Sequence, residues 1–235
     1  MTQLRLMDIQ RAFERKLGLV TFTPEYELVS CLLDDEWLTP SQLHQQARVS
    51  PAAVRYMLAR MVSGGLVTQR QNPADSRSTQ YRLTKPMRNL VLDQYEGYLA
   101  LAASARAQGH TAQVPLNRYH SFIHKGRQVS HLTAEFQILL YLYVAAALDN
   151  HEISQFIDVS LAKFNQSLGK LRGLGLVQVS RSPADRRSKL YDLPETVRGE
   201  LDQLHDQVAG WLASKLAAAE AGPITGESKR WQYRC

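Results

Sequence analysis

Arginine, lysine, asparagine and glutamine gather on two stretches of this 235-residue chain in a pattern that suits contact with a polyanion. Between Val49 and Leu66, the residues Val54, Leu58 and Met61 share one side of a helical period, which leaves Ala52, Ala53, Arg55, Tyr56 and Arg60 on the other. Between Val159 and Leu176, Phe164, Leu168 and Leu171 take the inner side, and Ala162, Lys163, Asn165, Gln166 and Lys170 the outer. Small residues near the start of a helix permit close approach to a groove, and Arg, Asn and Gln carry the donors and acceptors that read base edges. On a single helix such a face is equally well explained by solvation.

The residues after each helix decide between the two explanations. Gly65-Leu66-Val67 leads into Pro73-Ala74-Asp75-Ser76-Arg77-Ser78 and then Tyr81-Arg82-Leu83. Gly175-Leu176-Val177 leads into Pro183-Ala184-Asp185-Arg186-Arg187-Ser188 and then Tyr191-Asp192-Leu193, with Lys189 just past the tip. Each reads as two β-prone runs joined by a turn, with arginine at the tip and glycine closing the preceding helix. A helix for the major groove followed by an arginine-tipped hairpin for the minor groove makes a winged helix-turn-helix. The chain contains that pattern twice.

The copies align without a gap, Phe22–Thr84 against Leu132–Pro194, and nineteen of the sixty-three aligned positions are identical. Their offset is too long for a solenoid repeat and suits one small domain, so the chain reads as a tandem duplication. The expected fold is mostly α with small β-hairpin wings: two tandem winged helix-turn-helix domains joined and flanked by long helices. The first unit spans 1–108, a polar linker 109–115, the second unit 116–221 and a basic tail 222–235. In the first unit, helices are expected over Leu4–Leu17, Pro24–Glu36, from Pro40 to near Arg48, Pro51–Ser63 and Thr84–Gln108, with Thr23, Thr39 and Ser50 as N-caps before prolines. In the second they are expected over Leu116–Gly126, Thr133–Ala147, His151–Asp158, Ser160–Gly173 and Pro194–Glu220.

Charge is concentrated on the same stretches. Arg48 to Lys85 holds seven basic residues and one acid, and Asp158 to Glu195 seven and four, whereas the whole chain carries only +6. The longest apolar run, Ile138 to Leu148, is too short to span a bilayer, and two cysteines, Cys31 and Cys235, fit a reducing compartment. A cytoplasmic protein is expected, with no membrane partner and no cofactor. No phosphate loop, nucleophile elbow or paired-cysteine site is present, so an enzyme is not expected. His120 and His124 lie four apart on an expected helix near His131, a spacing that could hold a metal but is far commoner in surface or core histidines.

These residues resemble the MarR family of bacterial transcription regulators, through the two helices, wing and long helix, and through Asp75-Ser76-Arg77 and Asp185-Arg186-Arg187 as Asp-x-Arg wing signatures. The resemblance implies that Asp75 braces Arg77 and Asp185 braces Arg187, with Arg186 as a minor-groove probe. Ser76 is too short for that role, so the second wing is expected to bind more strongly at its tip. The resemblance also implies a double-stranded DNA operator, a small and often aromatic effector, and pairing through the terminal helices. With both units in one chain, an intramolecular pseudo-dimer is expected, the alternative being a homodimer. Because Arg55 and Tyr56 correspond to Asn165 and Gln166, the two half-sites should differ. The rival functions are a plasmid replication initiator with tandem winged helices and a winged-helix protein-interaction module.

Overall fold

The structure, a computed structural model, describes residues 5–33, 37–110, 121–124, 127–145, 147–157, 159–182 and 188–220. The first half runs α1 (Leu6–Leu17), α2 (Pro24–Leu32), α3 (Pro40–Gln46), α4 (Pro51–Ser63), β1 (Val67–Asn72), β2 (Asp75–Leu83) and α5 (Lys85–Ala107). Three of these helices start as their sequence dictates. Thr23, Thr39 and Ser50 accept from the amides of Tyr26, Gln42 and Ala53, and proline occupies the first turn each time. Proline fits there because the first-turn amides have no intrahelical partner. At Gly65 (φ 73°) and its counterpart Gly175 (φ 70°) the chain takes the left-handed conformation and turns into a hairpin.

The second half runs β3 (Ser121–His124), β4 (Arg127–Ser130), α6 (Ala134–Val144), β5 (Leu148–Asp149), α7 (Asn150–Gln155), α8 (Leu161–Gly173), β6 (Gln178–Arg181), β7 (Lys189–Asp192) and α9 (Glu195–Glu220). The β1–β2 and β6–β7 hairpins each have a third partner from the link before the short helix. Leu38 pairs with Tyr81, and Leu148, the counterpart of Leu38 in the second copy, pairs with Tyr191. Every residue of α6 is buried, which explains why it carries the longest apolar run: it is apolar all round because it has no face to water.

One expected helix is replaced. Where Leu116–Gly126 was expected to be helical, Ser121–His124 is a strand paired antiparallel with Arg127–Ser130, and 116–120 lie outside the described residues. The register joins His124 to Arg127, and only Lys125 and Gly126, also outside the described residues, separate them in sequence. Phe122, Ile123 and Val129 are strand formers, and that preference prevails here. His124 is therefore on a strand rather than a helix, and His120 is outside the described residues.

The halves meet along α1, α5, α6 and α9. Phe22 and Leu132 form an antiparallel bridge. Phe13 contacts Phe136 (ring centroids 5.8 Å apart), Tyr95 meets Trp211 edge-on at 5.6 Å, and Lys16 pairs with Glu200 at 2.7 Å. One apolar core runs through both halves, from Leu6 and Ile9 to Trp211 and Leu212. Each such side chain contributes about 1.5–3 kcal/mol when fully buried.

Candidate nucleic-acid interface

In α4, Val54, Met57, Leu58 and Met61 are buried and anchor the helix from behind. Ala52, Arg55, Tyr56 and Arg60 are exposed, and Ala53 is half-buried. Tyr56 keeps 65% of its surface in water, a high value for an aromatic ring. In α8, Phe164, Ser167, Leu168 and Leu171 are buried, while Ala162, Lys163, Asn165, Gln166 and Lys170 are exposed. Both polar faces are therefore open to solvent.

Acids behind the two helices hold some of these cations. Arg60 pairs with Glu25 at 3.1 Å and stacks on Tyr56 at 5.6 Å, while Lys163 approaches Glu135 at 3.5 Å. Glu25 and Glu135 are equivalent positions of the repeat. Burial alone would raise the Glu135 carboxyl. Its own backbone amide, Lys163, the Ser167 hydroxyl and Lys170 together outweigh that and hold it below the usual glutamate value.

The first wing is held by its own polar groups. The Asn72 amide reaches the Ser78 hydroxyl at 2.9 Å, Gln71 reaches the Ser76 carbonyl at 2.8 Å, and Ala74 N–H donates to Asn72 Oδ1 at 3.1 Å. Asp75 accepts from the backbone amide of Arg77 at 3.0 Å. An aspartate accepting an amide two residues on forms a local turn, which leaves the Arg77 side chain exposed. In the second wing Arg181 faces Lys189 across the strands, and Lys189 is exposed. Asp185, Arg186 and Arg187 lie outside the described residues.

Two arrangements were not read from the sequence. Arg48, one of the seven basic residues counted from Arg48 to Lys85, stays exposed but is committed to two acids. It pairs with Glu14 at 2.8 Å and with Glu27, both nearly buried, and its backbone amide also donates to Glu27. Trp37 lies under two arginines of the first wing, with Arg70 at 4.2 Å and Arg82 at 4.8 Å from its ring centre. The hairpin register would have found the second: Arg70 faces Gln80 and Arg82 faces Thr68, so both arginines share one side.

Between the halves lies a cavity of about 60 Å³ lined by Phe22, Tyr26, Tyr95, Tyr98, Phe136 and His205 among others. Tyr98 Oη and His205 Nε2 are 2.8 Å apart. Burial, reinforced by the charge of Arg106, lowers the His205 pKa to about 4. His131, the third histidine of the metal spacing, is buried and stacked on Tyr26 with ring centres 4.2 Å apart. Among the described residues no three His, Cys, Asp or Glu side chains gather to hold a metal.

Residues 23–79 match the model of the MarR family. The matched stretch begins at the Thr23 cap and takes in α2, α3, α4, β1 and part of β2, the helices and hairpin carrying Arg55, Tyr56 and Arg77. None of the curated proteins matches the chain. Among solved structures it is similar to a cysteine-to-serine mutant of MarR from E. coli, with 24% identity and a TM-score of 0.27. That similarity covers 34% of this chain and 59% of the other. No helix among the described residues is long and apolar enough to cross a membrane.

Proposed function

We propose that the chain is a sequence-specific regulator of transcription that binds double-stranded DNA with both halves, acting as a repressor that a small ligand releases. The observation that carries this reading is the exposed Arg55, Tyr56 and Arg60 face of α4 inside the MarR-family match, backed by a buried Val54, Leu58 and Met61. This face would enter the major groove, with Arg55 and Arg60 donating to base edges or phosphates and Arg77 reaching the minor groove from the wing. Asp75 would keep that wing ordered. Lys163, Asn165, Gln166 and Lys170, with Arg186, Arg187 and Lys189, would do the same for the second half, braced by Asp185.

Recognition faces of different chemistry imply an operator with unequal halves. Hydrogen bonds between the halves support pairing within one chain, and the aromatic cavity supports a small planar effector there. A short linker places one half at millimolar effective concentration near the other. The test is a salt-dependent mobility shift and a footprint on the DNA flanking the protein's own gene. Protection of two adjacent, non-identical half-sites about 34 Å apart is expected. Binding that ignores salt and sequence, or no binding, would overturn the reading.

A further inference from the structure

Between the start of α3 and the first wing runs a trough lined by Thr39, Gln42, Asn72, Asp75, Ser78 and Gln80. Apart from Asp75, whose carboxylate is turned to the Arg77 amide, these residues are hydroxyls and amides, able to bond a sugar-phosphate strand. Arg70 is tied to this trough because its Nε donates to Gln80 at 3.1 Å. One bond and a stack on Trp37 leave the remaining guanidinium donors of Arg70 in their plane and free to point outward. Arg82 is held by the same ring.

The second half lacks the ring and both arginines. At the equivalent positions Trp37, Arg70 and Arg82 become Ala147, Ser180 and Asp192, and the last is paired with Arg198. Thr39 and Gln42, which cap α3 as a neutral pair, become Asp149 and Glu152, which cap α7 in the same reciprocal way with two carboxylates. One flank offers a phosphate two ordered cations and the other two anions.

We infer that the first unit alone grips the DNA backbone along this trough, with Arg70 and Arg82, positioned by Trp37, as phosphate contacts, while the matching flank of the second unit repels it. This rests on the DNA-binding reading above and adds to it a polarity: affinity is anchored on one half-site, and the other is read by its helix and wing tip. Trp37 is a positioning residue here, acting through the arginines.

The experiment measures affinity for the footprinted duplex as a function of salt, using the full chain. Each phosphate contact contributes about 0.9 to the slope of log affinity against log salt. Arg70→Gln with Arg82→Gln should make the slope shallower by about 2 and weaken binding at least tenfold at physiological salt. Trp37→Ala should lose part of that slope, and Trp37→Phe, which keeps a ring under the cations, should recover it. Asp149→Thr with Glu152→Gln rebuilds the neutral capping pair of the first half, and should bind more tightly.

An unchanged slope in the double arginine variant overturns the inference. So does a steeper slope in Trp37→Ala, which would mean that the ring withholds the arginines from DNA. Unchanged binding by the Asp149 and Glu152 variant would overturn the repulsion at the second flank. Should Trp37→Ala fail to fold, the surface arginine pair decides alone. If the unaltered chain shows no salt-dependent binding, it is the DNA-binding reading that fails.

Discussion

Thr23 and Thr133, equivalent positions of the repeat, each donate a backbone amide across the junction between the halves. Thr23 N–H bonds the His131 carbonyl at 3.0 Å, and Thr133 N–H bonds the Thr21 carbonyl at 2.8 Å. Because His131 is in turn the counterpart of Thr21, one bond maps onto the other when the halves are exchanged. A local two-fold relation of this kind is what an isologous dimer interface has, here within one chain. The side chains around it are less symmetric. Arg106 meets Asp202 at 2.9 Å and Asp206 at 3.2 Å on one side, whereas the counterparts of Arg106 and Asp202 are Leu216 and Leu92. Pairing two first halves from different chains would put Leu92 and Glu96 where Asp202 and Asp206 stand, which removes the closer of the two ion pairs and keeps an acid for the other.

Acid should loosen this junction. His205 has a pKa of about 4 in the fold against about 6.5 when unfolded, so the fold prefers it neutral. Its contribution is fully present above pH 6.5 and is lost as pH falls through 4, on the order of 3 kcal/mol in all. Denaturant unfolding at pH 7 and pH 4.5 should show that loss, and His205→Gln, which cannot titrate, should show a smaller one. Equal pH dependence in both proteins would refute the assignment.

Stability and DNA affinity should separate between Arg48 and Arg55. Arg48→Ala leaves Glu14 and Glu27 buried without their cation and should cost about 2–4 kcal/mol of stability. Arg55→Ala removes an exposed side chain, so its stability should change by less than about 0.5 kcal/mol while operator binding weakens by about 1–3 kcal/mol. Chemical denaturation and titration of both variants check this, and a reversed ranking would contradict it.

Removing a negative charge from the first wing should weaken binding. Simple electrostatics says that Asp75→Ala helps a basic surface, but the carboxylate holds the Arg77 amide and with it the tip. A loosened tip must be reordered on DNA at about 1 kcal/mol or more per residue, which exceeds the gain from one exposed charge. Tighter binding by the variant at all salt concentrations would show that the brace is irrelevant.

The two recognition faces should be interchangeable in part. Arg55→Asn with Tyr56→Gln gives α4 the side chains that α8 carries at Asn165 and Gln166. Selection from random duplexes should then return more nearly palindromic sites than the unaltered chain does, and no change in the selected sites would contradict the assignment of these faces.

Much of the first half was legible because its signals are local. Thr-Pro, Thr-Pro and Ser-Pro mark three helix starts by chemistry that needs no tertiary partner, and α4 runs from Pro51 to Ser63 as its apolar spacing requires. The hairpin at Ser121–Ser130 was missed because a helix was expected by analogy with α1, against the strand preference of Phe122, Ile123 and Val129. Arg48 and Trp37 were misjudged or overlooked for a common reason. Counting charge along a sequence cannot tell an unpaired cation from one paired with Glu14 and Glu27, and a ring placed under two arginines is visible only once the hairpin register is known.

The central claim, that one chain supplies both halves of a DNA-binding pair, is tested most directly by weighing the complex. Light scattering of the protein with its footprinted operator should find a single 26.6 kDa chain on each duplex. Protection should cover two unlike half-sites on one face of the helix. Two chains on each duplex, with four half-sites protected, would contradict it and assign the duplication to a larger assembly.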